Sequence, residues 1–446
     1  MLFETRGNHG VTLKFGTDGV RGEALTELTT TFAAALGRAA TEVLGGGRWL
    51  IGRDTRESGE ALEAAVAAGL AAGGAEPVSV GVVPTPALAW LAQREGVPAA
   101  MITASHNPWT DNGVKVFAAG GTKLPDDVER AIEAHIHPDS TYPLVAVRHD
   151  PSAADGYVQH LVGLHRPLHG LRLVLDCANG AMSTVAPRAF RDLGADVVVL
   201  HAQPDGRNIN LQCGATHTDS LQAAVVAEAA TMGLAFDGDG DRVIAVDHLG
   251  RIVDGDRLIA LAALQLREEG RLPTGTVVVT VMSNLGFHRA MQSAGIAVQT
   301  TAVGDRYVLE ALESGGHGVG GEQSGHIIYR DLATTGDGLL AGLRLAQYAH
   351  GHHRTLAELA AEVMESFPQV LVNVRVAHRH PDAASELAAE ITEAEAALGG
   401  QGRILVRASG TEPLIRVMVE AAEPGMARTV ADGLAEVVRH RFGGVD

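Results

Sequence analysis

The sequence predicts three similar α/β domains followed by a separate α+β domain. Three observations point there. A unit of strand, polar loop, helix, Gly-containing turn and second strand occurs three times. Its strands are short Val-rich runs, as buried parallel strands are, and a strand–helix–strand unit of about 30 residues reads as a right-handed crossover. The residues beyond Pro368 change to alternating apolar positions, as in a half-buried sheet. A length of 446 residues suits three or four domains at roughly 150 residues each. With 46% hydrophobic and 20% charged residues, each domain has material for a core. The 54 glycines follow no collagen period, so they mark tight turns and backbone-lined loops.

The first copy runs from Trp49 through a polar loop to Gly59, an Ala-rich helix from Glu60, and a turn at Gly73-Gly74 into a strand ending at Val80. The second begins at Leu171, continues through a helix containing Ala189 and Leu193, and turns at Gly194 into Val197–Leu200. In the third, Thr276–Met282 leads to a helix around Phe287–Met291, then Gly295 and another strand. Three domains or one large sheet would both accommodate these copies. In the last segment Val370, Val372, Val374 and Val376 alternate. A helix is expected over Asp382–Leu398, strands at Ile404–Val406 and Ile415–Val419, and a final helix over Met426–Arg441. Pro138, Pro143 and Pro151 punctuate the first boundary. The expected domains are 1–150, 151–252, 253–367 and 368–446.

Lys plus Arg number 35 against 53 Asp plus Glu, a net charge of −18. That balance argues against a nucleic-acid binder, which needs a positive surface to displace counterions. Cys177 and Cys213 form neither a disulfide framework nor a zinc cluster by spacing, and suit isolated thiols in a reducing cytoplasm. The N-terminus lacks the apolar core of a secretory signal. The uncharged run Pro77–Gln93 is too short, and too broken by Pro84 and Pro86, to span a bilayer. A soluble cytoplasmic protein is expected, with no membrane partner.

Four loops carry candidate chemistry. Thr103–Pro108 follows the apolar run Ala99–Ile102, which delivers Ser105 into an exposed polar loop; Asp111-Asn112-Gly113 is expected to turn the chain back into a second strand. Adjacent Ser105 and His106 are poorly placed for a Ser-His hydrolase. Lys115, between Val114 and Val116, faces the opposite side and suits a partly desolvated base. Asp237, Asp239 and Asp241 recur with period two, so an extended backbone would aim three carboxylates one way. Three such charges require a cation, and oxygen ligands suit Mg²⁺. Counting from Asp237, an EF-hand would need Gly and Glu where Arg242 and His248 stand. Arg242 suits a partner for phosphate oxygens. The loop from Gly320 to His326 offers Glu322, Gln323, Ser324 and His326, a donor and acceptor set for a polyol. Arg407, Ser409, Gly410 and Thr411, with Arg416, form an anion nest between two strands.

From Gly16-Thr-Asp-Gly-Val-Arg21 to the Arg407-Ala-Ser-Gly-Thr411 loop, these motifs in this order resemble the α-D-phosphohexomutase superfamily over essentially the whole chain. The resemblance implies four domains, the first three with mixed sheets and the last TBP-like. It makes Ser105 the phosphoserine, held by Mg²⁺ on Asp237, Asp239 and Asp241. Glu322 and Ser324 would grip sugar hydroxyls. Arg407, Ser409, Gly410 and Thr411 would hold the phosphate not being transferred, with Arg416 beside them. Arg21, Lys115 and His326 would lie near the reacting hydroxyl, Lys115 as general base.

The implied reaction passes through a bisphosphorylated sugar, which also serves as activator and must turn end for end; a hinged C-terminal domain suits that. Gln323 and the Thr334-Thr335-Gly336-Asp337 segment resemble the members acting on hexosamine phosphates, glucosamine 6-phosphate and 1-phosphate, in amino-sugar and cell-wall precursor synthesis. Members acting on mannose or glucose phosphates are the alternative, and the chain would be a monomer or homodimer. Two rivals predict differently. A phosphatase with Asp237 as nucleophile would release phosphate without Ser105, and a non-catalytic sugar-phosphate sensor would lack the base or the nucleophile. The remaining histidines, such as His352, His353, His378 and His380, read as solvated surface.

Overall fold

The computed structural model describes residues 13–137, 140–409 and 413–444. Gly410 and Thr411 of the anion nest, and Pro138, lie outside the described residues. All three strand–helix–strand units form as parallel pairs. Gly47–Arg53 pairs with Ala75–Val82, Arg172–Asp176 with Asp196–Leu200, and Thr276–Thr280 with Ala297–Thr301. They belong to separate mixed sheets of seven, five and four strands, not to one large sheet.

The sheets share one further step. In each, a third strand lies parallel to the first on its other side: Ala99–Ile102, Met232–Phe236 and Val319–Gly321. Each then turns back into an antiparallel neighbour, Asp111–Phe117, Val243–Asp247 and Ile327–Tyr329. The three connecting loops are those of Ser105, of the three aspartates and of Glu322. The candidate chemistry therefore sits at one topological position used three times.

Local sequence explains the scaffold. Thr29 caps helix Thr30–Leu44 by accepting from the Phe32 N–H at 3.1 Å. This Ala-rich helix packs closely on Gly59–Ala72, where a Cβ at Gly69 would lie 1.8 Å from the Ala34 carbonyl oxygen. Asp254 and Asp337 cap helices Gly255–Glu268 and Gly338–Gly351 in the same manner. Among the described residues no helix is long and apolar enough to cross a membrane.

The C-terminal sheet has the order Gln369–Arg375, Leu414–Ala421, Gly402–Ala408, all antiparallel. Ile415, Val417 and Val419 pack on Ala427, Leu434 and Val438 of helix Pro424–Phe442. The helix expected over 382–398 is interrupted at Leu387, giving Ala383–Glu386 and Ala388–Ala397. Leu387 turns inward and is fully buried in the core, whereas the second segment buries no residue completely.

The chain forms two compact units, and the second takes in Ser283–Gly295 together with the residues from Val363 onward. Helix Leu285–Ser293, the crossover of the third copy, thus belongs with the C-terminal residues. Glu420 accounts for this: its buried carboxylate accepts from the Leu285 N–H at 2.9 Å and from Asn284 Nδ2 at 3.3 Å. An acid at a helix N-terminus satisfies donors that the helix cannot.

Candidate active site

Ser105 is buried, not exposed, and has a left-handed φ of +52°. The polar loop around it folds inward because its backbone acceptors have internal partners. The Arg56 guanidinium, itself buried, donates to the carbonyls of Ser105, Asn107, Pro108 and Asp111. Asn210 Nδ2 donates to Ser105 O at 2.8 Å and to Asn107 O at 3.1 Å. Asp54 pairs with Arg56 at 2.9 Å. The expected turn at Asp111–Gly113 is instead the start of the returning strand, so the whole reversal lies before it.

The Ser105 hydroxyl donates to Asp237 Oδ2 at 2.6 Å. The Asp237–Asp241 segment is a tight turn rather than extended chain: the Gly240 N–H donates to Asp237 O at 3.1 Å. The carboxylates nevertheless converge, with one oxygen of each of Asp237, Asp239 and Asp241 within 4.8 Å of the others. Gly238 permits the fit, since a Cβ there would lie 2.6 Å from Ser105 O. Thr85, at the start of helix Thr85–Glu95, donates its hydroxyl to Asp239 Oδ2 at 2.6 Å and its N–H to Asp239 O at 2.8 Å.

Lys115 is buried on the opposite side of its strand from Val114 and Val116, and bridges three acids. Its Nζ lies 2.8 Å from Asp18, 2.8 Å from Asp239 and 3.0 Å from Asp241. A circuit of side chains closes from there. Asp241 faces His326 Nδ1 at 3.7 Å, His326 Nε2 faces Asp305 at 3.5 Å, Lys123 pairs with Asp305, and Lys123 returns to Asp18 at 2.6 Å. Arg21 adds a 2.6 Å ion pair to Asp18.

Burial would lower the Lys115 ammonium, but Asp18, Asp239 and Asp241 outweigh it and hold the group well above its usual range. Burial would raise Asp18, yet Lys115, Lys123 and Arg21 hold that carboxyl well below the carboxylate range. Asp241 is likewise held low, by Lys115 and His326 against its burial. For Asp237, burial and the charges of Asp241 and Asp239 act together and push it well up. Burial, then Arg242 and Arg21, bring His106 down to about 4, so its imidazole is neutral. The Gly336 N–H donates to His326 Nε2 at 3.0 Å, which places the ring proton on Nδ1, toward Asp241.

Beside this cluster lies a cleft of about 510 Å³ lined by cations, among them Arg21 and Arg242, and by the sugar-loop residues Glu322, Ser324 and His326. The aspartate and sugar loops touch through backbone: the Val243 N–H donates to Gly325 O at 3.0 Å, and Arg242 and His326 form a bridge. Glu322 accepts from the Gly304 N–H at 3.2 Å. Neither Gln323 nor the Thr334–Asp337 segment lines the cleft. That segment is scaffold: Gly336 positions His326, Thr334 donates to Gly121 O, and Asp337 caps a helix.

In the C-terminal unit, Arg407 and Arg416 are direct cross-strand neighbours. Burial, then the charge of Arg416, lowers the Arg407 guanidinium. Facing cations destabilise a sheet unless an anion lies between them. Ser409 is buried at the same hairpin, its N–H donating to Leu414 O at 2.7 Å.

Comparison with known proteins follows the same division. Residues 12–143, 155–250 and 254–367 match alpha/beta/alpha domains I, II and III of phosphoglucomutase/phosphomannomutase, and 371–437 match its C-terminal domain. The chain belongs to the phosphoglucomutase/phosphomannomutase family.

A phosphoglucosamine mutase of Frankia casuarinae is 55% identical over 445 residues, covering 95% of this chain and 98% of that protein. A phosphoglucomutase/phosphomannomutase family protein of Burkholderia thailandensis superposes with a TM-score of 0.80 at 26% identity, covering 95% of this chain and 97% of that one. The N-acetylphosphoglucosamine mutase of Aspergillus fumigatus, solved with GlcNAc-6P and magnesium, has a TM-score of 0.72 at 20% identity, over 98% of this chain and 97% of that one.

In this chain three buried carboxylates form a group that could hold a metal ion. Asp239 Oδ1 and Asp241 Oδ1 are buried without a hydrogen-bond partner, in two of the three carboxylates that converge. Buried lone oxygens of like charge fit a hard divalent cation. Asp18, Lys123 and Asp305 are the residues that motif reasoning did not single out. Asp18 lies within the Gly16–Arg21 motif, but of its ion-pair partners only Arg21 is near in sequence; Lys115 and Lys123 come from elsewhere in the chain, Lys123 from 105 residues away.

Proposed function

We propose that this chain is a phosphoglucosamine mutase, interconverting glucosamine 6-phosphate and glucosamine 1-phosphate with Ser105 as the phosphoryl carrier. The observation that carries the reading is the Ser105 hydroxyl on Asp237, at the edge of a three-carboxylate cluster with orphaned oxygens. The substrate follows from relatives of that name at 50–55% identity.

Phosphorylated Ser105 gives its phosphoryl group to the free hydroxyl of the sugar phosphate: the serine O–P bond breaks and a sugar O–P bond forms. The bisphosphate turns end for end, and Ser105 then takes the other phosphoryl group. Lys115, an ammonium among Asp18, Asp239 and Asp241, gives a proton to the departing serine oxygen and, as the amine so formed, takes the proton of the attacking sugar hydroxyl; when Ser105 is rephosphorylated the two exchanges reverse. His326 and Arg21 orient the reacting end, and Arg242 faces the equatorial oxygens. Glu322 and Ser324 hold sugar hydroxyls.

Arg407, Ser409, Gly410, Thr411 and Arg416 grip the phosphate that is not transferred. Mg²⁺ held by Asp237, Asp239, Asp241 and the Ser105 oxygen would supply Lewis-acid stabilisation of phosphoryl charge. The bisphosphorylated sugar also primes unphosphorylated enzyme. Both Asp237 oxygens accept hydrogen bonds, from Ser105 and from the Arg242 N–H, which disfavours Asp237 as a nucleophile. The enzyme works in the cytoplasm as a monomer or homodimer, with domain limits at 150, 252 and 367.

Comparing kcat/KM for glucosamine, glucose and mannose phosphates on phosphorylated enzyme tests the assignment. Glucosamine phosphate is expected to lead, and a tenfold lead for either other sugar overturns the substrate while leaving the mutase chemistry.

A further inference from the structure

We infer that Asp176, His201 and Cys213 form a second metal site, suited to a thiophilic divalent ion of the zinc class and distinct from the Asp237 cluster. The three residues come from separate segments of the second sheet region. Asp176 ends strand Arg172–Asp176, His201 follows strand Asp196–Leu200, and Cys213 precedes the turn Gly214–Thr216. One ligand atom from each lies within 4.8 Å of the others. Asp176 and Cys213 are buried, whereas His201 borders a cavity of about 440 Å³ shared with Asn179, Gln203 and Asn208. Three protein donors, one of them from a residue that borders a cavity, are the ligand count of a zinc site that keeps a fourth position.

The pairing of Asp176 with His201 is incomplete as a hydrogen bond. His201 Nδ1 lies 3.0 Å from Asp176 Oδ2, close enough for the carboxylate to raise the imidazole, although the buried N–H is not aligned on it as a hydrogen bond requires. The carboxylate already accepts two backbone bonds, from Ala178 N–H at 2.9 Å and Gly214 N–H at 3.0 Å, which fix its orientation. His201 itself has a positive φ, as do Ala178 and Asn179 just after Asp176 and Asn210 and Gln212 just before Cys213, all non-glycine residues. Such strain persists only where its surroundings hold it, and it concentrates at ligand sites.

The donor set discriminates between ions. One carboxylate, one imidazole and one thiol are too few oxygens for Mg²⁺ or Ca²⁺ but match the preference of Zn²⁺. A nucleophilic role for the thiol is disfavoured, because burial and Asp176 push Cys213 up to about 12. A bound ion would displace that proton and take the thiolate. It would also fasten the segments beneath the catalytic serine, since Asn210, three residues before Cys213, donates to Ser105 O at 2.8 Å.

Full-length protein stripped of metal and held in excess Mg²⁺ is titrated with Co²⁺. One ion per chain is expected, with a thiolate-to-cobalt charge-transfer band that Zn²⁺ abolishes. Cys213→Ser should remove the band, His201→Ala should weaken Co²⁺ binding at least tenfold, and Asp237→Asn should keep the band. No charge-transfer band in the unsubstituted protein overturns the inference without reliance on any variant. So does a band that survives Cys213→Ser or that follows Cys177→Ser instead.

Discussion

The Ser105 hydroxyl and the Asp237 carboxylate meet at 2.6 Å across 132 residues of sequence. Arg56 and Asn210 hold the serine from one side by its backbone, and the aspartate receives its proton from the other. As the proposed phosphoryl carrier, Ser105 so placed needs no rearrangement of its own loop to meet the carboxylate cluster. Ser105→Ala is therefore expected to fold normally, because Arg56 and Asn210 bind its carbonyl and not its hydroxyl. Its turnover should fall at least about 10³-fold, since the covalent route disappears. Intact mass should show one phosphate on the unsubstituted protein and none on the variant. Near-normal turnover by the variant would remove Ser105 from the mechanism.

The aspartate cluster predicts a metal-dependent melting temperature. Without an ion, burial and its like-charged neighbours push Asp237 well up, so the cluster stores repulsion. An ion bound only by the folded state adds about 2.7 kcal/mol at a hundredfold excess over Kd. Mg²⁺ should raise Tm and restore activity lost in EDTA. Asp237→Asn should melt no lower than the parent in EDTA, but should lose both the Mg²⁺ shift and turnover. Full activity in excess EDTA would rule out the cage.

Facing Arg407 and Arg416 imply a separate role in binding. Their cross-strand repulsion is relieved when an anion lies between them, and a charge-assisted pair is worth about 1.5–3 kcal/mol. Arg407→Ala and Arg416→Ala are each expected to raise KM for the sugar phosphate by about tenfold or more, with a smaller change in kcat. A loss confined to kcat would contradict the clamp.

What could be read in the sequence was local. Val-rich strands, Ala-rich helices and Gly turns announce the three crossovers, because each signal lies within about 30 residues. The alternation of Val370, Val372 and Val374 announces the C-terminal sheet for the same reason. The shared position of the three loops was less visible, since it depends on which strands become neighbours.

Burial of Ser105 has no local signature, because a polar loop ordinarily seeks water and the partners that replace water, Arg56 and Asn210, come from elsewhere in the chain. Period-two aspartates suggested extended chain, but the intervening glycines permit a turn that brings the same carboxylates together. The Asp18–Lys123–Asp305 path had no local signal, because its members are separated by 105 and 182 residues.

Asp337 supplies a pH test away from the metal cluster. Burial drives its carboxyl from 3.8 up to about 6, against the opposing hydrogen bonds from the Leu340 N–H and the Tyr157 hydroxyl. A raised acid is held protonated more tightly in the folded state than in the unfolded one. Between pH 4 and 6 the unfolded chain therefore gives up this proton first, and stability falls as pH rises. The contribution of Asp337 is fully present below its unfolded value and gone above about 6.

Asp337→Asn removes that titration and retains the geometry. Both hydrogen bonds fall on Oδ1, from Tyr157 at 2.7 Å and Leu340 N–H at 2.9 Å, and an amide oxygen can accept both. Relative to the parent, the variant should gain on the order of 2–3 kcal/mol in unfolding free energy as pH is raised from 4 to 7. Urea titrations of both proteins at several pH values measure the difference directly, and other acids common to both largely cancel. A pH-independent difference between the two would show that folding does not shift the Asp337 carboxyl.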